Sequence, residues 1–249
     1  MHGWSGTVRM GQVRNRAREE PPLDDTITQL IHQGRDREAA QLGSERLAPM
    51  TGDPPMDPVT QLDEIVPLLN DLVSGLDDEA LAAATPCANF DVRQILEHMV
   101  GGATTFAAAF RGTVPPAGPA PDDVVDAFPR AMAELQDALR SPGALDRTIA
   151  APFGEVPGEA FARFVALDGL VHGWDIATAL GSPYDPPAEV VAEADAFARR
   201  MIADSMRDGD TFAAPTDPPV DAAAIHRLVA FTGRTVTSCP PSRRSPTSP

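Results

Sequence analysis

Lysine is absent from this chain, and all 20 basic residues are arginine. With 26 prolines and abundant alanine, that usage matches the codon bias of a high-GC bacterial genome, which bears on origin and not on chemistry. Positive charge is short overall: against 36 acidic residues the formal net charge is −16. Phosphates would be repelled over most of such a surface, which excludes nucleic acid and anionic membrane as the main partners. Cysteine is scarce as well. Cys87 and Cys239 are too few for a disulfide framework, and Cys239 lies in a Pro/Ser-rich tail, so a reducing cytoplasm is the expected compartment. No run approaches the roughly 18 apolar residues of a membrane span, and the N-terminus is charged and polar where a signal peptide needs its apolar stretch. A Gly-rich phosphate loop, a paired CxxC and a basic aromatic groove are missing too.

What is present is helical patterning. Residues 1–55 carry charges and only short apolar groups such as Ile27, Leu30 and Ile31, and are expected to be a disordered leader. Residues 56–235 are expected to form the folded bundle, with 236–249 a disordered tail. The folded part opens at Met56-Asp57-Pro58, where Asp57 can cap and Pro58 suits the first helical position ahead of the stripe Leu62, Ile65, Val66, Leu69, Leu72 and Val73. Asp91 is the expected N-cap of a second helix running to about Arg111. A Pro/Gly-rich stretch over 112–121 precedes a third helix carrying Val124, Phe128, Met132, Leu135 and Leu139. Residues 147–157, around Phe153-Gly154-Glu155, are the only plausible short extended pair. Further helices are predicted at about 159–180, 187–207 and 221–232. Four long helices joined by short or Pro-rich loops predict an all-α protein, an antiparallel four-helix bundle with short additional C-terminal helices.

The chemistry concentrates in the helix predicted at 159–180. At roughly 100° per residue, Asp168, His172 and Asp175 fall within an arc of about 60°. Phe161, Phe164, Val165 and Val171 occupy or border that arc, and Leu167, Leu170 and Trp174 cover most of what remains, so the helix reads as apolar nearly all round and therefore buried. Burying a carboxylate with an imidazole is expensive unless something pairs with them. A metal ion, a proton-transfer task and a local ion pair each meet that requirement. Asp168 and His172 are an i, i+4 pair that can meet a single ion, and a third ligand should come from a facing helix. His2 and His32 lie in the leader and His226 in a short helix near the end, which leaves His98, whose own row of Gly102, Thr105 and Ala109 is small. Two His and one carboxylate leave coordination positions open. Asp175, one turn beyond His172, is a candidate to orient that ring or to act as a general base, the catalytic role assigned to it here. Its pairing with an Arg of a neighbouring helix is the plainer alternative. Cys87 reads as a small loop residue rather than a nucleophile, and Trp174 as packing.

Two segments carry a resemblance. Thr85-Pro86-Cys87-x-x-Phe90-x-Val92-Arg93-x-x-Leu96-x-His98-x-Val100-Gly101-Gly102, followed by Asp168-x-x-Val171-His172-x-Trp174-Asp175, resembles the actinobacterial metal-binding proteins related to the N-terminal domain of mycothiol-dependent maleylpyruvate isomerase, within the DinB-like superfamily. The resemblance spans about Met56 to Arg234. It implies an up-and-down bundle with a divalent metal, commonly zinc, at the positions of His98, Asp168 and His172. It also implies mycothiol as a co-substrate and a small electrophile as the other partner, in an S-transfer, isomerisation or conjugate addition. The alternative function is a noncatalytic metal- or ligand-binding bundle. The isomerase has Glu where this chain has Asp168, relatives often have Trp where Phe90 stands, and residues 182–235 are too short to reproduce the isomerase's C-terminal domain. Arg234, in Phe231-Thr232-Gly233-Arg234, resembles a recurrent family ending and is a candidate contact for an anionic substrate.

Overall fold

The computed structural model describes residues 55–116, 121, 123–151, 154–207, 209 and 212–236. The expected leader and tail, with His2, His32, Cys239 and Phe153, fall outside these residues apart from positions 55 and 236. Helix α1, Pro58–Val73, starts as its local chemistry dictates: the Asp57 carboxylate accepts the Val59 N–H at 3.1 Å, and Pro58 occupies the first turn, where no N–H is needed. A single turn, α2, Asp78–Leu81, follows. Helix α3, Val92–Arg111, opens with a reciprocal box in which Gln94 N–H donates to Asp91 (2.8 Å) and Asp91 N–H donates to the Gln94 side chain (2.9 Å). It ends at Gly112, whose φ of 67° is the left-handed conformation that side chains resist. Helix α4, Val124–Leu139, is capped by Asp123.

Strands β1, Thr148–Ala151, and β2, Gly154–Pro157, form an antiparallel hairpin with Ile149 opposite Val156. The hairpin launches helix α5, Gly158–Leu180, which has no side-chain cap. Its first N–H groups are instead taken by main-chain carbonyls, Gly158 to Arg147 at 2.6 Å and Glu159 to Leu145 at 3.0 Å. After α5 come α6, Ala188–Met201, a 3₁₀ turn at Asp204–Met206, and α7, Ala224–Phe231. The helix expected over 187–207 stops early because Ile202 turns extended (φ −80°, ψ 96°) and buries its side chain.

Among the described residues the protein is all-α apart from that hairpin and one isolated bridge between Ala84 and Asp91. α1, α3, α4 and α5 surround one core, α3 packing most extensively on α4 and α1 on α5. Gln136 and Arg140, at the C-terminal end of α4, bond Asp63 near the start of α1. α3 opposes α5, with Phe106 on Phe161 at one level and His98 beside Asp168 at another. α1 and α5 run in the same direction: Ile65 and Leu69 meet Gly169, and Leu72 and Leu76 share a groove with Leu180. Gly173 of α5 is tightly covered: an added Cβ would overlap the Tyr184 hydroxyl and stand 2.9 Å from the end of the Leu69 side chain of α1. α5 is buried along most of its length, as its all-round apolar sequence predicts. Among the described residues no helix is long and apolar enough to cross a membrane.

Candidate metal centre

The site lies where α3 crosses α5, and it grades from solvent to interior. The His98 side chain on α3 is 43% exposed and Asp168 on α5 31%. His172, one turn along, is only 7% exposed and the Asp175 side chain is fully buried. His98 Nε2 stands 3.8 Å from one Asp168 oxygen and His172 Nε2 stands 3.5 Å from the other. The two imidazoles are nearly perpendicular, 73° between planes at 5.2 Å. Donor atoms of His98, Asp168 and His172 all lie within 4.8 Å of one another.

Those spacings are longer than the roughly 2.7–2.9 Å of a direct charge-assisted hydrogen bond. They are close to the roughly 3.4 Å that separates neighbouring ligands placed tetrahedrally at about 2.1 Å from an ion. Two nitrogens and one carboxylate, so placed, could hold a metal ion. Without an ion the groups polarise one another. Contact with Asp168 holds the His98 imidazole above its ordinary pKa, against the opposing effect of burial. Burial alone would raise Asp168, but attraction to His172, the contact with His98 and the more distant Arg234 outweigh it and hold the carboxyl below its usual range.

Behind the three lies a second layer. His172 Nδ1 is 3.1 Å from an Asp175 oxygen, which turns Nε2 toward Asp168. Arg234, just past α7, donates to both Asp175 oxygens at 3.0 and 3.4 Å. Its Nε and Nη2 are therefore directed at Asp175, two of the five N–H donors that a guanidinium carries. Asp175 does pair with an Arg, as the plainer alternative for it supposed, and it touches His172 as well.

The third wall is the loop before α3. Thr85 donates its hydroxyl to Phe90 O (2.6 Å) and accepts the Cys87 N–H (3.1 Å), fixing a turn that stacks the Phe90 ring on His98 at 5.5 Å and 25°. Cys87 is brought beside His172 and Asp175, again with donor atoms within 4.8 Å. Spacing along the chain had no means of revealing that neighbour; only the Thr85-Pro86-Cys87 motif hinted at it. His226 is elsewhere, edge-on to Trp174 at 6.2 Å.

Residues 62–177, which contain His98, Asp168, His172, Asp175 and the Thr85–Phe90 loop but not Arg234, match the family described as the mycothiol maleylpyruvate isomerase N-terminal domain. Two uncharacterized Mycobacterium tuberculosis proteins, from strains CDC 1551 and H37Rv, are each 32% identical over 183 residues, 73% of this chain and 100% of their own length. The chain belongs to this family. No solved structure matches significantly. Within the family match, His98 on α3 and the Asp168–His172 pair on α5 lie 70 and 74 positions apart in sequence yet share one site.

Proposed function

We propose that this protein binds a divalent metal, zinc being the best fit to the donor set, through His98, Asp168 and His172, and uses it with a low-molecular-weight thiol, mycothiol, to transform a small electrophile. The observation that carries the reading is the convergence of two imidazole nitrogens and a carboxylate at spacings wider than direct hydrogen bonds. When bound, such an ion lowers the pKa of a thiol brought to it, so that thiolate is available at neutral pH.

The remaining roles belong to the chain itself. Asp175 accepts the Nδ1–H of His172, which fixes the tautomer and leaves the Nε2 lone pair facing Asp168. Arg234 neutralises and holds Asp175 in turn. With no exposed surface and its oxygens engaged, Asp175 acts through His172 as a positioning residue in this reading, rather than as the free general base its sequence position suggested. Phe90 covers one face of His98 and limits that ring's rotation. The exposed edge of His98 and Asp168 is the approach for thiol and substrate. The bundle over 56–235, inside a cytoplasmic protein of an actinobacterium, is the functional unit proposed here.

The test is elemental analysis of protein purified without chelator, followed by thiol-dependent turnover of model electrophiles with and without metal. Stoichiometric metal in the wild type and none in His172→Ala supports the site. Metal without any thiol-dependent turnover supports the noncatalytic alternative.

A further inference from the structure

Inward of His98 and Asp168, the four long helices leave a narrow cavity of about 30 Å³. Val66 of α1, Met99 and Phe106 of α3, Met132 of α4 and Val165 of α5 form its walls. Apart from His98 and Asp168 at the mouth, every lining residue is apolar or glycine. By this measure one water needs about 10–15 Å³, so the space holds about two waters or about two or three carbon atoms. Water there would find polar partners only at the mouth, whereas a buried water typically makes about three hydrogen bonds. An apolar occupant is favoured instead. An anionic one is disfavoured, because beyond His98 and Asp168 the described lining offers a carboxylate neither a cation nor a polar side chain, and its desolvation would go uncompensated. Small residues on α3 keep the space open: a Cβ at Gly102 would meet the Phe106 ring at 3.3 Å.

We infer that this cavity receives the nonreacting end of the electrophile, and that this end is a short, unbranched, uncharged aliphatic group. The inference rests on the reading of His98, Asp168 and His172 as metal ligands, which puts the reacting end of the substrate at the cavity mouth. It separates this protein from an enzyme acting on a dicarboxylate, whose far end would need a cation the cavity lacks.

The test uses full-length protein loaded with Co²⁺, whose visible spectrum reports ligand binding, and a series of straight-chain hydroxamates. Affinity should rise about fourfold per methylene from acetohydroxamate to butyrohydroxamate and then stop rising. Succinic monohydroxamate, with a carboxylate at its far end, should bind no tighter than acetohydroxamate. Ala103→Leu, or the milder Gly102→Ala if the first fails to fold, should flatten the series while leaving Co²⁺ content unchanged. A flat series in the Co²⁺-loaded wild type, or tight binding of the carboxylate-ended probe, overturns the inference. Failure to take up Co²⁺ overturns the metal reading instead. The cavity is then decided without metal, by ¹³C-methyl NMR of Met99 and Met132 on adding 1-propanol: shifts in the wild type that vanish in Ala103→Leu support it, and their absence in the wild type overturns it.

Discussion

Helix α5 buries two sets of ionisable groups and resolves them in opposite ways. Near its start, Arg163 is 5% exposed and reaches Glu159 one turn back at 3.0 Å and Glu193 of α6 at 3.9 Å. That set is closed: a direct hydrogen bond and a second carboxylate offset the cation, and both glutamates keep contact with water. One turn and a half further on, Asp168 faces two imidazoles at 3.5 and 3.8 Å, too far for a direct hydrogen bond. That set is open, and its spacing suits an ion placed between the groups. Burial of charge is therefore not what distinguishes a functional cluster on this helix. The distinction is whether the partners already touch.

The largest expected effect is on the open set. His172→Ala and His98→Ala should each abolish stoichiometric metal, while His226→Ala should retain it; full occupancy in both of the first two variants would erase the contrast. Next is the layer behind. Asp175→Asn and Arg234→Met should leave metal bound in excess metal but weaken it by about 10–100-fold, the usual effect of losing a carboxylate that orients a ligating His. Competition with a colorimetric chelator measures this, and total metal loss in Asp175→Asn would make that residue a ligand.

Acidity sharpens the comparison further. The His98 pKa is raised in the folded, metal-free protein, so its contact with Asp168 contributes stability that is fully present below about pH 6.5 and is lost as pH rises through the raised value. Asp168 is lowered, so its contribution is present above its ordinary value near 3.8 and is lost as pH falls below it. Metal reverses the first trend, because protons compete for His98: metal affinity should climb with pH up to His98's raised pKa and then flatten. Melting curves with and without chelator at several pH values should therefore diverge as pH rises through that range, and parallel curves would argue against His98 as a ligand.

The closed set predicts a smaller and purely structural effect. Arg163→Met removes the cation but leaves two glutamates that water can reach, so urea unfolding should show a loss of about 1–2 kcal/mol with metal content unchanged. A change in metal content there would show that the two clusters are coupled through α5. Smallest of all, removing residues 1–55 and 236–249 should leave melting temperature and metal content nearly as they were, and a large drop would place the leader on the bundle.

Much of the fold was legible because it is local. Asp57 with Pro58, and Asp91 with Gln94, specify helix starts through bonds spanning two or three residues. The apolar stripes marked the long helices, although the one expected over 187–207 ends at Met201, and the all-round apolar character of 159–180 marked the buried helix. The Asp168–His172 pair followed from the helical repeat alone. His98 was reached by elimination and by the resemblance, since nothing in its own helix says which neighbour it faces.

The amino-acid sequence by itself determined which segments are helical, which faces they bury and that two ionisable groups share one face of α5, because these depend on contacts within a few turns. Only the tertiary structure decided that α1 and α5 run in the same direction, that Cys87 and Phe90 wall the site, that an apolar cavity opens beneath it, and that Arg234 holds Asp175 across 59 positions of sequence. Such contacts come from how whole helices pack and which loops cross between them, and the periodicity of a single helix carries no record of what stands opposite.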